Sequence, residues 1–215
     1  VFPLNLSNLN QVLCLGAHPD DIEIGCGGIL LTLLEKNHDL KMDWVIFSAD
    51  ERRKLEAERS FANWSPDPAR CRLTVHSFAD SFFPWEGQEL KQTLHELSRR
   101  TSPDLIFTTR QADLHQDHRV LSELTWNAFR DHLILEYEIP KYDGDLGRPN
   151  LFFPLATEIA HEKVSRLMSN FESQHTKFWY RSEIFESLMR IRGMECNAAS
   201  GFAEGFYASK ITVSV

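Results

Sequence analysis

The sequence predicts an α/β sandwich built on a mostly parallel sheet. Short apolar runs alternate with longer segments of helical periodicity, the pattern of strands joined by crossover helices. Its 215 residues, 42% of them hydrophobic, suit one compact domain over 1–215 and would be cramped as two. Fifteen Phe and five Trp supply large rigid pieces for a core. No repeat, low-complexity tract or interdomain linker breaks the alternation.

Residues 11–16 read as the first strand, an apolar run around Val12-Leu13-Cys14-Leu15. Gly25-Cys26-Gly27-Gly28 follows, then a helix over 29–36. Residues 41–47 are rich in Val, Ile and aromatics and read as the second strand. Asp50 can cap a charged helix over about 51–63, which Ser65-Pro66-Asp67-Pro68 breaks. A short strand over 72–75 precedes a helix over 88–100, with Leu90, Leu94 and Leu97 at helical spacing. Ser102-Pro103 ends that helix, and 104–108 is the next strand. A helix over 120–130, a strand over 133–137, a loop over 140–150 and a late strand over 151–155 follow. Segments 158–168 and 183–192 read as helices. The 140–150 loop is about as long as loops in compact domains get, and such loops often carry function.

A net charge of −8, from 23 basic and 31 acidic residues, argues against broad nucleic-acid or anionic-membrane binding. No apolar run approaches the roughly 18–20 residues of a membrane span. Val1-Phe2-Pro3-Leu4-Asn5 lacks the basic start of a secretory signal. Cys14, Cys26, Cys71 and Cys196 are scattered without a C-x-x-C pair, which speaks against a disulfide framework. The expectation is a cytoplasmic protein with a small-molecule partner, and a homo-oligomer is left open.

Two stretches carry the chemistry: Ala17-His18-Pro19-Asp20-Asp21 and His115-Gln116-Asp117-His118. Each follows a predicted strand, and a parallel sheet brings such strand ends to one edge. A catalytic zinc takes three protein ligands from imidazoles and carboxylates and keeps one position for water. His18, Asp21 and His118 offer that set. Neighbouring side chains diverge, so Asp20 cannot share the ion without strain. It reads as the general base for a water whose pKa the metal lowers to roughly 7. His115 reads as the group that steadies an oxyanion or protonates a leaving amine, with Asp117 orienting it and raising its pKa. Asp113 is a candidate for holding water or substrate. The plainer alternative, an Asp that only caps a helix, loses weight because both clusters follow strands. Gly25 to Gly28 lacks G-x-G-x-x-G spacing and no G-K-[ST] occurs, so close packing is favoured over nucleotide binding.

Ala-His-Pro-Asp-Asp after the first strand, with His-x-Asp-His nearly a hundred residues later, resembles the LmbE-like, or PIG-L-type, zinc deacetylases. Arg53-Lys54-Leu55-Glu56 is similar to that family's Arg-x-x-Glu helix start. Ser173-Gln174 and Ala203-Glu204-Gly205-Phe206 resemble its Ser-Gln and Ala-Glu-x-Phe segments. The resemblance implies a Rossmann-like three-layer sandwich with the metal site at the C-terminal edge of the strands. It implies zinc on His18, Asp21 and His118, Asp20 as base, and His115 as the oxyanion-stabilising or acid group. Arg53 would then touch substrate hydroxyls or a polar aglycone; its plainer alternative is a helix charge paired with Glu56. The chain departs from the family pattern at Gln116, where Pro is common, at Ala49-Asp50-Glu51, which replaces Gly-Glu, and at Gly205, where Ala is usual.

The implied activity is hydrolysis of the N-acetyl group of an N-acetylglucosamine-type sugar or conjugate. Another sugar-linked amide, or a non-catalytic sugar-binding protein of the same fold, stands as the alternative. Nitrogen and oxygen donors accept Fe2+ as well as Zn2+. Tyr142 and Asn150 are candidates for sugar contact, whereas Trp85, beside Phe82 and Phe83, reads as packing. His76, His95, His132 and His161 read as surface or core residues.

Overall fold

Continuous apolar runs predict strands buried on both faces, and the central strands are buried that way while the two edge strands are partly exposed. The computed structural model describes residue 6 and residues 8–65 and 67–212. The expectation drawn from residues 1–5, and Pro66 within the predicted break, lie outside the described residues.

The strands are β1 (Gln11–Gly16), β2 (Lys41–Ile46), β3 (Cys71–Val75), β4 (Leu105–Thr108), β5 (Leu133–Tyr137), β6 (Leu151–Pro154) and β7 (Ala203–Tyr207). They form one sheet in the order β3-β2-β1-β4-β5-β7-β6. β1 to β5 pair in parallel, and β7 runs antiparallel to both β5 and β6. Along β1, Val12 and Cys14 join a core with α1 (Asp21–Lys36) and α2 (Glu51–Trp64). Leu13 and Leu15 join the opposite core with α3 (Gly87–Arg100) and α4 (Gln116–Ala128). Period-2 alternation thus fills both faces, giving the three layers that the sequence led one to expect. α5 (Thr157–Asn170) and α6 (Ser182–Glu195) complete the α1 side. The strand order runs outward in both directions from β1 and β4, so a crevice opens at their carboxyl ends. Among the described residues no helix is long and apolar enough to cross a membrane.

Two helix starts differ from the sequence reading, and both matter. α1 begins at Asp21, not at residue 29, and so takes the glycines into its interior. A Cβ at Gly25 would sit 2.1 Å from the Tyr137 ring, and one at Gly27 would sit 2.4 Å from Trp64. Those glycines are there for close packing of aromatic side chains, which removes the nucleotide-loop alternative. α4 begins at Gln116, not at residue 120, so the second cluster forms a helix N-terminus.

β7 was not foreseen, because Ala203-Glu204-Gly205 has low strand propensity. Buried Glu204 compensates: its oxygens accept the Gly28 and Ile29 amides at 2.7 and 2.8 Å and the Lys163 ammonium at 2.6 Å. Lys163 also donates to the Ile24 carbonyl at 2.6 Å. The pair therefore clamps the middle of α1 to β7 and holds the helix that carries the first cluster.

Candidate metal centre

β1 ends at Gly16, and the chain turns into α1 within a few residues. The turn closes through Asp21, whose Oδ2 accepts the His18 amide at 2.8 Å. It also forces Asp20 to φ 94°, a left-handed conformation rare for a residue with a side chain. The β4 end leads through residues 109–114 to His115, which caps α4: its Nδ1 accepts the Asp117 amide at 3.3 Å.

Each imidazole has one nitrogen committed to a carboxylate, and that fixes where its other lone pair points. His118 Nδ1 lies 3.0 Å from Asp113 Oδ2. His18 Nε2 lies 3.2 Å from Asp117 Oδ2 and 3.1 Å from Asp80 Oδ1. The remaining nitrogens, His18 Nδ1 and His118 Nε2, face each other at 3.3 Å. Asp21 Oδ2 lies 3.7 Å from the first and 3.4 Å from the second. Tetrahedral zinc with bonds of ~2.0–2.1 Å separates its donors by ~3.3–3.4 Å. Three ligand-type atoms thus lie at the spacing of a zinc site, each imidazole backed by a carboxylate, as in metal-ligating histidines generally.

The electrostatics favour positive charge at the same spot. Burial works to lower the His18 pKa, but hydrogen bonds to Asp117 and Asp80 and the charge of Asp21 push it up to about 10. Burial also opposes ionisation of Asp113, yet the His118 hydrogen bond and the nearby His118 and Lys141 charges hold it well below the usual carboxylate range.

A second group of His18, Asp80, His115 and Asp117 also lies within 4.8 Å. It differs in kind. Its contacts are hydrogen bonds already made: His18 Nε2 to Asp80 and Asp117, the Ser81 and Phe83 amides to Asp117 at 2.6 and 3.1 Å, and the Asp117 amide to His115 Nδ1. This group orients the first one.

Asp20 is buried beside the trio. Arg53 Nη2 lies 3.2 Å from its Oδ1 and donates to the Pro19 carbonyl. Asp20 Oδ2 has no hydrogen-bond partner among the described residues. Burial raises its pKa to about 6, against the opposing charge of Arg53. His115 has its pKa lowered by burial and by the His118 and His18 charges, despite Asp117. With Nδ1 accepting an amide, its proton sits on Nε2 as a neutral donor.

Residues 13–129, from β1 through α4, match the family model described as PIG-L: GlcNAc-PI de-N-acetylase. The chain belongs to the PIG-L family. By PIG-L membership it is an amide hydrolase. The uncharacterized deacetylase YaiS of Escherichia coli (strain K12) is 28% identical over 145 residues, covering 63% of this chain and 78% of YaiS. Among solved structures, the N,N'-diacetylchitobiose deacetylase of Pyrococcus horikoshii aligns with TM-score 0.74 and 19% identity, over 94% of this chain and 84% of its own. GalB, the 4-carboxy-2-hydroxymuconate hydratase of Pseudomonas putida KT2440, aligns with TM-score 0.73 and 16% identity, over 96% and 98%. At these identities the two structures share the fold.

The PIG-L chain opens its trio into a pocket of about 310 Å³. Arg53 and Tyr142, expected to meet substrate, are both on its wall. Tyr142 is exposed, and its hydroxyl accepts the Phe178 amide at 3.1 Å. Other expectations are corrected. Asp113 is buried behind His118, where Lys141 Nζ donates to it at 2.9 Å, so it does not face substrate. Asp117 spends its carboxylate on His18 and the 81–83 amides rather than orienting His115. Asn150 bonds Ala208 on the far side of β7, away from the pocket. Trp85 is 76% exposed, and the exposed Phe82 ring lies tilted against it at 5.7 Å. Sequence reasoning did not single out Asp80, Lys177 or Trp179, which also line the pocket. The only signal they carry is their place in loops at the carboxyl edge of the sheet. A larger groove of about 500 Å³ runs along β2 and β3, far from both clusters.

Proposed function

We propose that this chain is a zinc-dependent deacetylase acting on an N-acetylglucosamine-type amino sugar or sugar conjugate. The observation that carries the reading is the trio of His18 Nδ1, His118 Nε2 and Asp21 Oδ2, separated by 3.3–3.7 Å, beside the unpartnered Oδ2 of Asp20. The donor set of two imidazoles and one carboxylate fits a catalytic zinc, and Fe2+ would be accepted by the same atoms. The family description names de-N-acetylation of an N-acetylglucosamine conjugate, and the Pyrococcus horikoshii neighbour is named for diacetylchitobiose.

A divalent ion held there supplies a Lewis acid and brings the pKa of a water near 7. Asp20 Oδ2 takes one proton from water as its oxygen attacks the acetyl carbonyl. Arg53 on Oδ1 holds that carboxylate in place. His115 Nε2–H donates to the carbonyl oxygen as it gains charge. The C–N bond then breaks, and Asp20 returns its proton to the leaving nitrogen. Water and amide become acetic acid and a free amine, and proton transfer between them gives acetate and ammonium, with no other reactant. Tyr142 and Arg53 form walls against which the sugar is held.

The test is zinc content together with acetate release over a panel of N-acetyl sugar conjugates. The reading expects bound zinc and acetate from at least one member. Zinc without acetate from any member would turn the assignment to a sugar-binding protein.

A further inference from the structure

Arg53-Lys54-Leu55-Glu56 and Ser173-Gln174, far apart in the sequence, meet beside the pocket. Buried Glu56 accepts the Ser173 amide at 2.8 Å and the Ser173 hydroxyl at 2.5 Å. Arg53 Nε lies 3.7 Å from the same carboxylate. Ser173 Oγ therefore gives its one proton to Glu56 and can only accept from Gln174 Nε2, at 2.9 Å. That fixes the amide of Gln174: its NH2 faces Ser173 and its carbonyl faces away. Gln174 is 3% exposed, and among the described residues nothing donates to its Oε1. The same side chain lines the pocket with Asp20, Arg53, Lys177 and Trp179. A buried amide oxygen without a donor is uncommon in folded proteins and calls for a cause.

We infer that Gln174 is a specificity-determining residue whose Oε1 accepts a hydrogen bond from a hydroxyl of the substrate's sugar ring. The inference rests on the deacetylase reading and adds a contact to it. The Arg53–Glu56–Ser173 chain is the support that aims the acceptor: the one bond from Gln174 Nε2 goes to a Ser173 hydroxyl that Glu56 itself holds, so little is lost in ordering the side chain when substrate arrives. A site built to bond a hydroxyl rejects the analogue that lacks it, because the site's own polar group is then left unpaired.

The experiment compares the parent with Gln174→Met on N-acetylglucosamine and its 3-, 4- and 6-deoxy analogues. Acetate release and direct binding to the zinc-loaded protein are read in parallel. In the parent, one deoxy analogue loses most. In Gln174→Met, kcat/KM for the full sugar falls about 2–12-fold, mainly through KM, and the selective penalty on that one analogue disappears. Zinc per chain stays at the parent value. A Gln174→Met protein with parental KM, or with the parental deoxy pattern, overturns the inference. If that variant is recovered unfolded, Gln174→Asn, which withdraws the carbonyl by one methylene, must lose the same discrimination. Unfolding of both would assign Gln174 to the fold alone and overturn the inference. A parent that neither binds nor deacetylates these sugars or any conjugate of the panel contradicts the proposed function as well; an active parent with indifferent variants contradicts only the role of Gln174.

Discussion

His18 stands between two clusters of similar composition that differ in where their protons lie. On its Nδ1 side, Asp21 and His118 present lone pairs to one point, at 3.3–3.7 Å from one another. On its Nε2 side, Asp80 and Asp117 accept a proton from the ring, and His115 caps a helix with its own Nδ1. Both groups place ligand-type atoms within 4.8 Å. The difference teaches that residue types do not make a metal site. The direction of the lone pairs does, and carboxylates behind the rings set that direction.

The sharpest way to break the comparison is to remove an inner donor. His118→Ala or Asp21→Ala should leave no zinc on the chain after dialysis and bring acetate release to background. Retention of stoichiometric zinc by either would contradict the inner assignment. Next in size is Asp20→Ala, which should keep zinc, measured by metal analysis, and lose about 10²–10⁴ in turnover. Near-parental turnover would remove Asp20 as the base. Asp113→Asn weakens the carboxylate behind His118 and should cost about 10–100-fold in zinc affinity, read by competition with a chelator. The smallest effect belongs to the outer group. Asp80→Asn should leave zinc stoichiometry at the parent value and lower affinity less than Asp113→Asn does, because Asp117 still holds His18 Nε2, whereas a lost equivalent would make the outer group a second metal site.

Much of this was legible in the sequence, for identifiable reasons. β1, β2 and β5 are buried on both faces, so their apolar runs mark them almost to the residue. His18, Asp21 and His118 were legible because both clusters follow strands whose ends a parallel sheet must bring together. The starts of α1 and α4 were not, since the left-handed Asp20 and the His115 cap leave no periodic pattern. Pairings between carboxylates and imidazoles were not legible either. Asp117 is two residues from His115, yet the first turn of α4 sends its side chain to His18 and the 81–83 amides. Asp113, in the loop before α4, accepts the His115 amide and so reaches His118 five residues on. β7 was hidden by Glu204, a residue that a strand buries only when Lys163 and the α1 amides receive it.

The claim that all of this depends on concerns which nitrogen of His18 faces the ion. Anomalous scattering at the zinc edge, from crystals of zinc-loaded protein, tests it directly. The account predicts one strong peak within ~2.0–2.2 Å of His18 Nδ1, His118 Nε2 and an Asp21 oxygen. A peak on the Nε2 side, among Asp80, Asp117 and His115, or no peak near His18, would contradict it.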